Sequence, residues 1–403
     1  MKPLPILLAL AVTLQAAPPE PKFRAVTLDD KIQIGYGLAI ADVDGDKQPD
    51  ILLADKKQFV WYRNPGASKA GEATAWTKFV LAENLTKNDN VCIAAQDIDG
   101  DGKCEVAVGA EWNPGDTVNS GAVFYLIPPA DRTQKWEPVK FPSVEPTTHR
   151  MKWVRLEDDV GAARGAPQWG LVVAPLHGRG NKDGGGTPVK LIRYHKPADP
   201  RSEWKAEVID QSMHMTHNFD TNLPYAQPAL VVAGKEGFAG FIQQPGGIWM
   251  PRTLAAIAAS AHAAGEVRFG FLYGSTFVAT VEPMHGNALV LYYPYKESGR
   301  RVHTENLTEG HALACGDLLG MKSDQIVVGW RGTPGKEGST FGVHIWTPLD
   351  EKGEQWRDSA VDDTGMACED LQIADLDGDG KLDIIAAGRA TKNVKIYFNE
   401  TPR

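Results

Sequence analysis

Six histidines of this chain have the chemistry of metal ligands and of acid–base groups. A neutral imidazole binds transition metals through either ring nitrogen, and its ordinary pKa near neutrality lets it take up and release protons. The six lie far apart along the chain, so they can act together only if the fold brings remote positions to one place. They are His149, His177, His214, His217, His285 and His311.

Three acidic segments have the composition of cation-binding loops. Each follows the pattern D-x-D-G-D-x-x-x-[DE], or its close variant, in which carboxylates at alternate positions can converge on one hard cation. An EF-hand would need a glutamate at loop position 12, but Leu53, Val108 and Ala386 stand there. The segments therefore predict structural calcium in another kind of loop, or else acidic turns that bind nothing. The carboxylates are Asp42, Asp44, Asp46, Asp50, Asp97, Asp99, Asp101, Glu105, Asp375, Asp377, Asp379 and Asp383.

The acidic turns belong to a repeat that fills the chain. In each copy an apolar strand enters the turn and a second one leaves it, as in 38–54, and two more strand-like segments follow. The copies are spaced by about 55 residues, which gives seven four-stranded units. The last unit lacks a fourth strand, and the segment 23–30 supplies one. The sequence predicts an all-β fold, a seven-bladed β-propeller over 22–400 as a single domain, closed by an N-terminal strand that completes the last blade.

Four residues occupy one position of the repeat, at the start of the innermost strand. In a radial repeat, equivalent positions face one another across the central axis. We therefore predict that His149, His217, His311 and Glu369 meet there and hold Zn²⁺ or a similar divalent metal. An isolated histidine is more often a structural residue in a turn or core, and that alternative stays open for each of them.

A second set of polar residues lies in the loop after the second strand of several units, and one further residue, His214, lies in the connection before an inner strand. Both places open on the same mouth of the predicted propeller. An imidazole there can act as acid or base, and cationic side chains can bind hydroxyl groups or an enolate. Aromatic residues such as Trp112 and Trp330 would cover the apolar faces of a sugar. The expected partner is thus a carbohydrate or a small molecule derived from a glycoside. The predicted catalytic residues are His177, His214, His285, Arg331, Arg389, Lys235 and Glu282.

The acidic turns and their flanking strands resemble the FG-GAP/VCBS repeats of integrin-α-type seven-bladed propellers. This resemblance implies structural calcium at the outer side of the blades. The segments HRMKW, APLHGRG, MHMTHNFD, EPMHGN, GHALA and GWRG also resemble the propeller part of the aldos-2-ulose dehydratase group. That second resemblance implies a zinc-dependent β-elimination on a keto sugar, with histidines of the funnel as metal ligands and bases.

Composition and the first residues indicate which partners are disfavoured and where the protein is located. The chain has 403 residues and a formal net charge of -9, which argues against nucleic acid as the main partner. Residues 1–17 are typical of a cleavable signal peptide, because the apolar run is too short to span a membrane. We expect a secreted or periplasmic protein without a membrane span. The four cysteines, which are either paired or simply buried, are Cys92, Cys104, Cys315 and Cys368.

Two functions are compatible with these observations. The first is an exported metal-dependent lyase or dehydratase that acts on a keto or oxidised sugar at the central funnel. The second is a non-catalytic propeller, stabilised by calcium, that binds a glycan or a protein partner at the same mouth. Nucleophilic catalysis is disfavoured because the chain contains no G-x-S-x-G elbow and no P-loop.

Overall fold

Twenty-eight β-strands in seven antiparallel sheets of four strands make up the structure. It is a computed structural model that describes residues 17–142, 144–156, 168–221, 229–244, 247–252, 262–293, 299–333 and 335–402. The helical content of these ranges is one 3-10 turn, Ala73–Ala75. The sheets follow one another around a ring, which confirms the predicted all-β, seven-bladed propeller.

The first four blades are built from consecutive strands, numbered from the central axis outwards. Blade 1 contains β2 to β5, at Gly37–Ala41, Asp50–Ala54, Gln58–Arg63 and Thr77–Glu83. Blade 2 contains β6 to β9, at Cys92–Gln96, Glu105–Ala110, Ala122–Ile127 and Glu137–Lys140. Blade 3 contains β10 to β13, at Thr148–Leu156, Gln168–Pro175, Leu191–His195 and Lys205–Asp210. Blade 4 contains β14 to β17, at Thr216–Asp220, Ala229–Gly234, Gly237–Gln243 and Trp249–Arg252.

The last three blades follow the same order, except for the final outer strand. Blade 5 contains β18 to β21, at Glu266–Leu272, Ser275–Glu282, Ala288–Tyr292 and Arg300–Thr304. Blade 6 contains β22 to β25, at Gly310–Gly316, Gln325–Trp330, Gly342–Pro348 and Trp356–Asp362. Blade 7 contains β26 to β28, at Cys368–Ala374, Asp383–Gly388 and Val394–Asn399, together with β1 at Phe23–Asp29.

Strand β1 closes the ring by pairing with β28 from the other end of the chain. The register runs antiparallel from Phe23 opposite Asn399 to Asp29 opposite Val394. Beyond the strand, the N–H of Glu400 donates to the carbonyl of Lys22 over 2.8 Å. The predicted closure by an N-terminal strand is therefore confirmed.

The core lies between neighbouring blades, because each sheet is covered on both faces. The second strands are consequently buried over most or all of their length, as in β3 and β7, which are apolar after their first residues, Asp50 and Glu105. One buried cluster joins Leu52 and Trp61 of blade 1 to Val106 of blade 2. Burial of one such side chain contributes about 1.5–3 kcal/mol. This rigid packing fixes the inner strands around the axis.

Several sequence predictions concern features other than the blades. The four cysteines are unpaired, and Cys92, Cys104 and Cys368 are buried. In the described ranges no helix has the length and apolar character needed to cross a bilayer. The domain bounds 22–400 and the signal peptide stay predictions, and residues 1–16 of that segment lie outside the described residues.

Candidate functional site

A β-bulge at the start of the inner strand carries each residue predicted to hold the transition metal. In blade 3 the register shifts between Thr148 and Arg150, so His149 has no partner on the neighbouring strand. A bulge changes the direction of a side chain relative to the regular strand alternation. The inner strands of blades 1, 2 and 5 start in regular register. The equivalent shifts in blades 4, 6 and 7 isolate His217, His311 and Glu369.

Three imidazoles converge at this level of the ring. One ring nitrogen from each of His217, His285 and His311 lies within 4.8 Å of those of the other two. The Nε2 atoms of His217 and His285 are 2.8 Å apart. His285 comes from the loop after β19, where it adopts a positive φ of 51°. The group therefore combines two bulged inner-strand residues with one loop residue that had been predicted to be an acid or base.

Backbone carbonyls of the next blade orient the bulged histidines. The Nδ1 of His149 is 2.7 Å from the carbonyl of His217, and the Nδ1 of His217 is 2.9 Å from that of Gly265. Likewise, the Nδ1 of His311 is 2.6 Å from the carbonyl of Glu369. A carbonyl only accepts, so each Nδ1 carries the proton and each Nε2 keeps a lone pair. Such partners commonly fix the ring and tautomer of a metal-binding histidine.

The environment keeps the three imidazoles neutral. Burial is the largest cause and lowers the pKa of His217 to about 3 and that of His285 to about 2. The pKa of His311 is also well below its usual value, through burial and the charge of Arg331. Neutral imidazole is the form that binds a metal ion. Since Nε2 of His217 is unprotonated, Nε2 of His285 carries the proton between them, and a metal ion would replace that proton.

Glu369 lies beside the three histidines but is bound by arginines. Its buried carboxylate accepts hydrogen bonds from Arg331 over 2.9 Å and from Arg389 over 2.8 Å. Burial alone would raise the pKa of Glu369, but the two guanidinium groups offset burial and hold it below its usual value. Arg331 is bound on its other side by Glu309 at 2.9 Å. The three-histidine group does not include the Glu369 carboxylate.

His149 is also close to the group, but both of its ring nitrogens are engaged. Its Nε2 lies 3.2 Å from a guanidinium nitrogen of Arg150, in addition to the Nδ1 contact described above. Trp112 stacks on the imidazole with ring centroids 5.0 Å apart. In this arrangement His149 positions Arg150 and connects blade 3 to blade 4, and metal ligation by His149 stays a prediction.

The remaining predicted catalytic residues take different positions. His214 is exposed, and its Nδ1 lies 2.9 Å from the carboxylate of Glu236. Lys235 donates to the carbonyl of Asp183 over 2.8 Å and supports a neighbouring loop. His177 is buried, and its backbone N–H donates to Thr147 Oγ1 over 2.9 Å.

Glu282 supports the loop that carries His285. Its carboxylate accepts hydrogen bonds from Tyr292 over 2.5 Å, from Thr280 over 2.9 Å and from Arg300 over 2.7 Å. These contacts occupy both carboxylate oxygens, so the geometry assigns Glu282 a positioning role. The catalytic assignments made from the sequence remain predictions.

A cavity of about 330 Å³ continues along the axis from the histidine level. Blades 1 and 2 contribute small and apolar residues to its wall, including Leu38 and Ile93. The opposite wall carries Arg150, Lys152 and Asp370. The cavity therefore has one apolar side and one charged side, and its volume is at the lower end of the range for small-molecule sites.

The acidic turns lie at the opposite ends of the inner strands. In the first turn, Asp42 accepts two backbone hydrogen bonds of 2.7 Å, and Asp50 accepts one from Val43 over 2.9 Å. Burial raises the pKa of Asp50 to about 8 and that of Asp383 to about 7. Carboxylate oxygens come within 4.8 Å of one another in three groups, Asp42, Asp44 and Asp50, then Asp97, Asp99 and Asp101, then Asp375, Asp377 and Asp383.

The three other predicted calcium ligands lie outside these groups. Asp46 and Asp379 each accept a backbone hydrogen bond within their own turn, and Glu105 accepts one from Ile98 over 3.0 Å. Burial raises the pKa of Glu105 to about 7. Calcium binding in all three turns stays a prediction.

Sequence reasoning missed Arg150 and Glu309, which complete the polar surroundings of the histidines. Arg150 directly follows His149, and the positions equivalent to it are Gly37, Cys92, Asn218, Glu266, Ala312 and Asp370. Comparison of this second ring position would have singled out its one cation among small, amide and acidic residues. Glu309 precedes the inner strand of blade 6 and carries no repeat signal.

Comparison with known proteins supports the repeat and the fold. Residues 42–108 match the family model of the FG-GAP-like repeat. Two crystal structures of BBS1N in complex with ARL6DN, soaked with mercury or with lead, are similar with TM-scores of 0.52 and 0.50. Each is 12% identical and covers 96% of this chain, and this chain covers 98% or 97% of theirs. No curated protein matches in sequence. The protein is a seven-bladed β-propeller with an FG-GAP-like repeat in its first two blades.

Proposed function

We propose that this propeller is a metal-dependent lyase that removes water from a keto or oxidised sugar at its central mouth. The observation that carries the proposal is the group formed by His217, His285 and His311. Three neutral imidazoles suit Zn²⁺, and three protein ligands leave a coordination position for substrate. The carbonyl contacts of His217 and His311 are the outer partners that such a site requires.

The predicted catalytic residues would supply the other groups that an elimination reaction needs. When bound, zinc would polarise the carbonyl group of the sugar and acidify the neighbouring carbon. His214 is the proposed proton acceptor, because Glu236 binds its Nδ1 and leaves Nε2 available. The proton taken from carbon then returns to the departing hydroxyl group, which leaves as water while a carbon–carbon double bond forms. Arg389, whose side chain is 43% exposed, would bind sugar hydroxyl groups.

Metal analysis and turnover test this proposal together. We expect about one equivalent of zinc in the purified protein, lost in His217→Ala and His311→Ala and retained in the control His195→Ala, whose imidazole contacts Glu207. Keto sugars should give an α,β-unsaturated ketone, followed by its ultraviolet absorbance, only with the metal-loaded protein. Zinc binding without a product from any keto or oxidised sugar would contradict the lyase.

The second candidate is a binding propeller stabilised by calcium. The acidic groups in the turns of blades 1, 2 and 7 favour it. Calcium bound there, away from the mouth, would stabilise the fold without taking part in a reaction. The two BBS1N structures are complexes with another protein, so a protein is one of the partners that we propose for the mouth under this second candidate. Calcium found alone, with a thermal midpoint lowered by chelation and with no zinc, would favour this candidate.

Export is proposed on the first residues alone. Cleavage near residue 17 would release a mature chain that begins just before β1. The mass of the protein secreted by an expressing cell, compared with that of the full translation product, tests this step.

A further inference from the structure

Arg150 is a buried guanidinium without a carboxylate partner. The residue is 9% exposed, and its Nη1 atom donates to the carbonyl and Nε2 of His149 over 3.1 and 3.2 Å. Its Nε is buried and has no hydrogen-bond partner, and no described residue accepts a hydrogen bond from its Nη2. Throughout the described ranges, no acidic oxygen comes within 4.0 Å of this group. Buried charges are normally paired, so Arg150 requires an explanation.

The nearest acidic side chain in the cavity does not neutralise Arg150 by direct contact. Asp370 accepts backbone hydrogen bonds from Leu38 over 2.7 Å and from Leu371 over 2.9 Å, one on each oxygen. Lys152, on the same wall, is 3.6 Å from Asp220. The Nε of Arg150 is fully enclosed, so the unpaired Nη2 is the part of the Arg150 cation that is open to the cavity.

We propose that Arg150 binds a carboxylate group of the ligand, so that the substrate is an acidic sugar of the uronate type. This inference rests on the proposed function, whose site it refines. The Nη2 group of a guanidinium carries N–H donors and positive charge, and a carboxylate oxygen accepts a short, charge-assisted hydrogen bond from it. His149 holds the guanidinium through Nη1 and is itself fixed by Trp112 and by the carbonyl of His217.

Charge and burial explain why the carboxylate is the distinguishing group. A ligand anion would supply the missing counter-charge of a buried cation, whereas a neutral sugar would leave that charge uncompensated. The apolar wall at Leu38 and Ile93 would contact the carbon face of the sugar ring. The acidic chain as a whole repels anions, so selectivity must come from this local site.

The test compares two monosaccharides that differ at one carbon. Glucuronate and glucose are titrated into the zinc-loaded and the chelated protein by calorimetry. We expect wild type to bind glucuronate at least about tenfold more tightly than glucose, because a charge-assisted hydrogen bond is worth more than about 1.4 kcal/mol. Arg150→Gln should abolish the preference, and Arg150→Lys should retain part of it. Arg201→Gln, at an exposed arginine paired with Glu137, should retain all of it.

The outcomes separate this inference from the proposed function. Zinc binding without a preference for glucuronate would overturn the carboxylate assignment and leave the lyase standing. A preference for glucuronate in a protein that takes up no zinc even when zinc is supplied would support the anion site and contradict the lyase. Inorganic phosphate that competes as strongly as glucuronate would also overturn the assignment. If Arg150→Gln unfolds, the ratio of the glucuronate affinity to the glucose affinity in wild type and in Arg150→Lys still tests the inference.

Discussion

The two ends of the inner strands differ in how they use the same backbone. At the turn end, blades 1, 2 and 7 repeat one scheme, in which the first aspartate accepts two backbone N–H groups of its own turn. At the mouth end, four blades repeat a bulge, but the bulged residue is histidine in three of them and Glu369 in the fourth. The turn end thus repeats the same aspartate and hydrogen bonds, whereas the mouth end keeps the bulge but changes the residue type in one of its four copies.

This difference teaches where stability and chemistry are placed in the ring. The aspartate hydrogen bonds of such a turn lie within one blade, and blades 1, 2 and 7 carry them in the same way. A bulged residue at the mouth contacts the next blade, as His311 contacts the carbonyl of Glu369, so neighbouring blades can carry different side chains for one shared site. We expect substitutions at the turn end to act mainly on unfolding and those at the mouth mainly on ligand binding.

The largest effect should come from Asp383→Ala at the turn end. The buried carboxylate accepts the N–H groups of Leu376 and Asn399, both over 2.9 Å, and its loss leaves both unpaired. We expect the free energy of unfolding to fall by about 3–5 kcal/mol, measured by urea denaturation in calcium-free buffer. Asp379→Ala, exposed in the same turn, should cost less than about 1 kcal/mol. Equal losses would remove the distinction between buried and exposed turn carboxylates.

Glu369→Gln tests the mouth end for stability. The variant keeps the shape of the side chain but leaves Arg331 and Arg389 without a negative charge between them. We expect a loss of about 2 kcal/mol, below that of a fully buried pair because Arg389 is partly exposed. Urea denaturation measures it. A loss as large as that of Asp383→Ala would show that the mouth stabilises the ring as strongly as the turns do.

Gly286→Ala should displace one member of the three-histidine group without replacing any of its histidines. A β-carbon at this position would lie 2.1 Å from the carbonyl of Glu282, so the loop that carries His285 must shift. We expect zinc affinity to fall by about 10–100-fold, as for the loss of an outer partner, measured by competition with a chromophoric chelator. Gly115→Ala is the matched control, because its β-carbon would lie 3.5 Å from the nearest atom, Asn113 Oδ1, which is an ordinary contact. Unchanged affinity in Gly286→Ala would argue against His285 as a ligand.

The smallest effect concerns His344, which lies on the third strand of blade 6. Burial lowers the pKa of His344, but hydrogen bonds to Asp358 and Asp363 raise it above its usual value. A raised pKa in the folded state adds stability below the ordinary value of 6.5, and this stability is lost as the pH rises through the folded pKa. We expect a decrease of at most about 1 kcal/mol between mildly acidic and alkaline pH.

His344→Gln should remove this pH dependence, which urea denaturation at a series of pH values would detect. His344 lies at neither end of an inner strand, so its small effect on stability is a reference for the effects of the substitutions at Asp383, Glu369 and Gly286. A wild-type pH profile that matches that of the variant would show that the two aspartates do not favour the charged imidazole.

The fold could be predicted from the sequence because its information is local and repeated. The acidic turns mark the junction of the first and second strands, and the unmatched segment 23–30 pairs with β28 as expected. Counting the units required no knowledge of side-chain contacts. The bulges were invisible, because an extra residue in one strand is defined only by the register of its neighbour.

The candidate site could be predicted only in part, for a related reason. The sequence located His149, His217, His311 and Glu369 at one level of the ring, and the structure places all four at equivalent bulges. Which of them have a free nitrogen or oxygen depends on neighbours remote in sequence. Arg331 and Arg389 occupy Glu369, while a loop residue brings the third imidazole. Such competition between side chains has no linear signature.

The pairing of β1 with β28 also dictates when this molecule can become a closed ring. During synthesis, Phe23 of β1 is made 376 residues before its partner Asn399. Until then the edges of β1 are open to association with other nascent chains. A circular permutant whose chain starts in the connection between two other blades would build the seventh sheet from consecutive strands. We expect this permutant to assemble faster and to aggregate less.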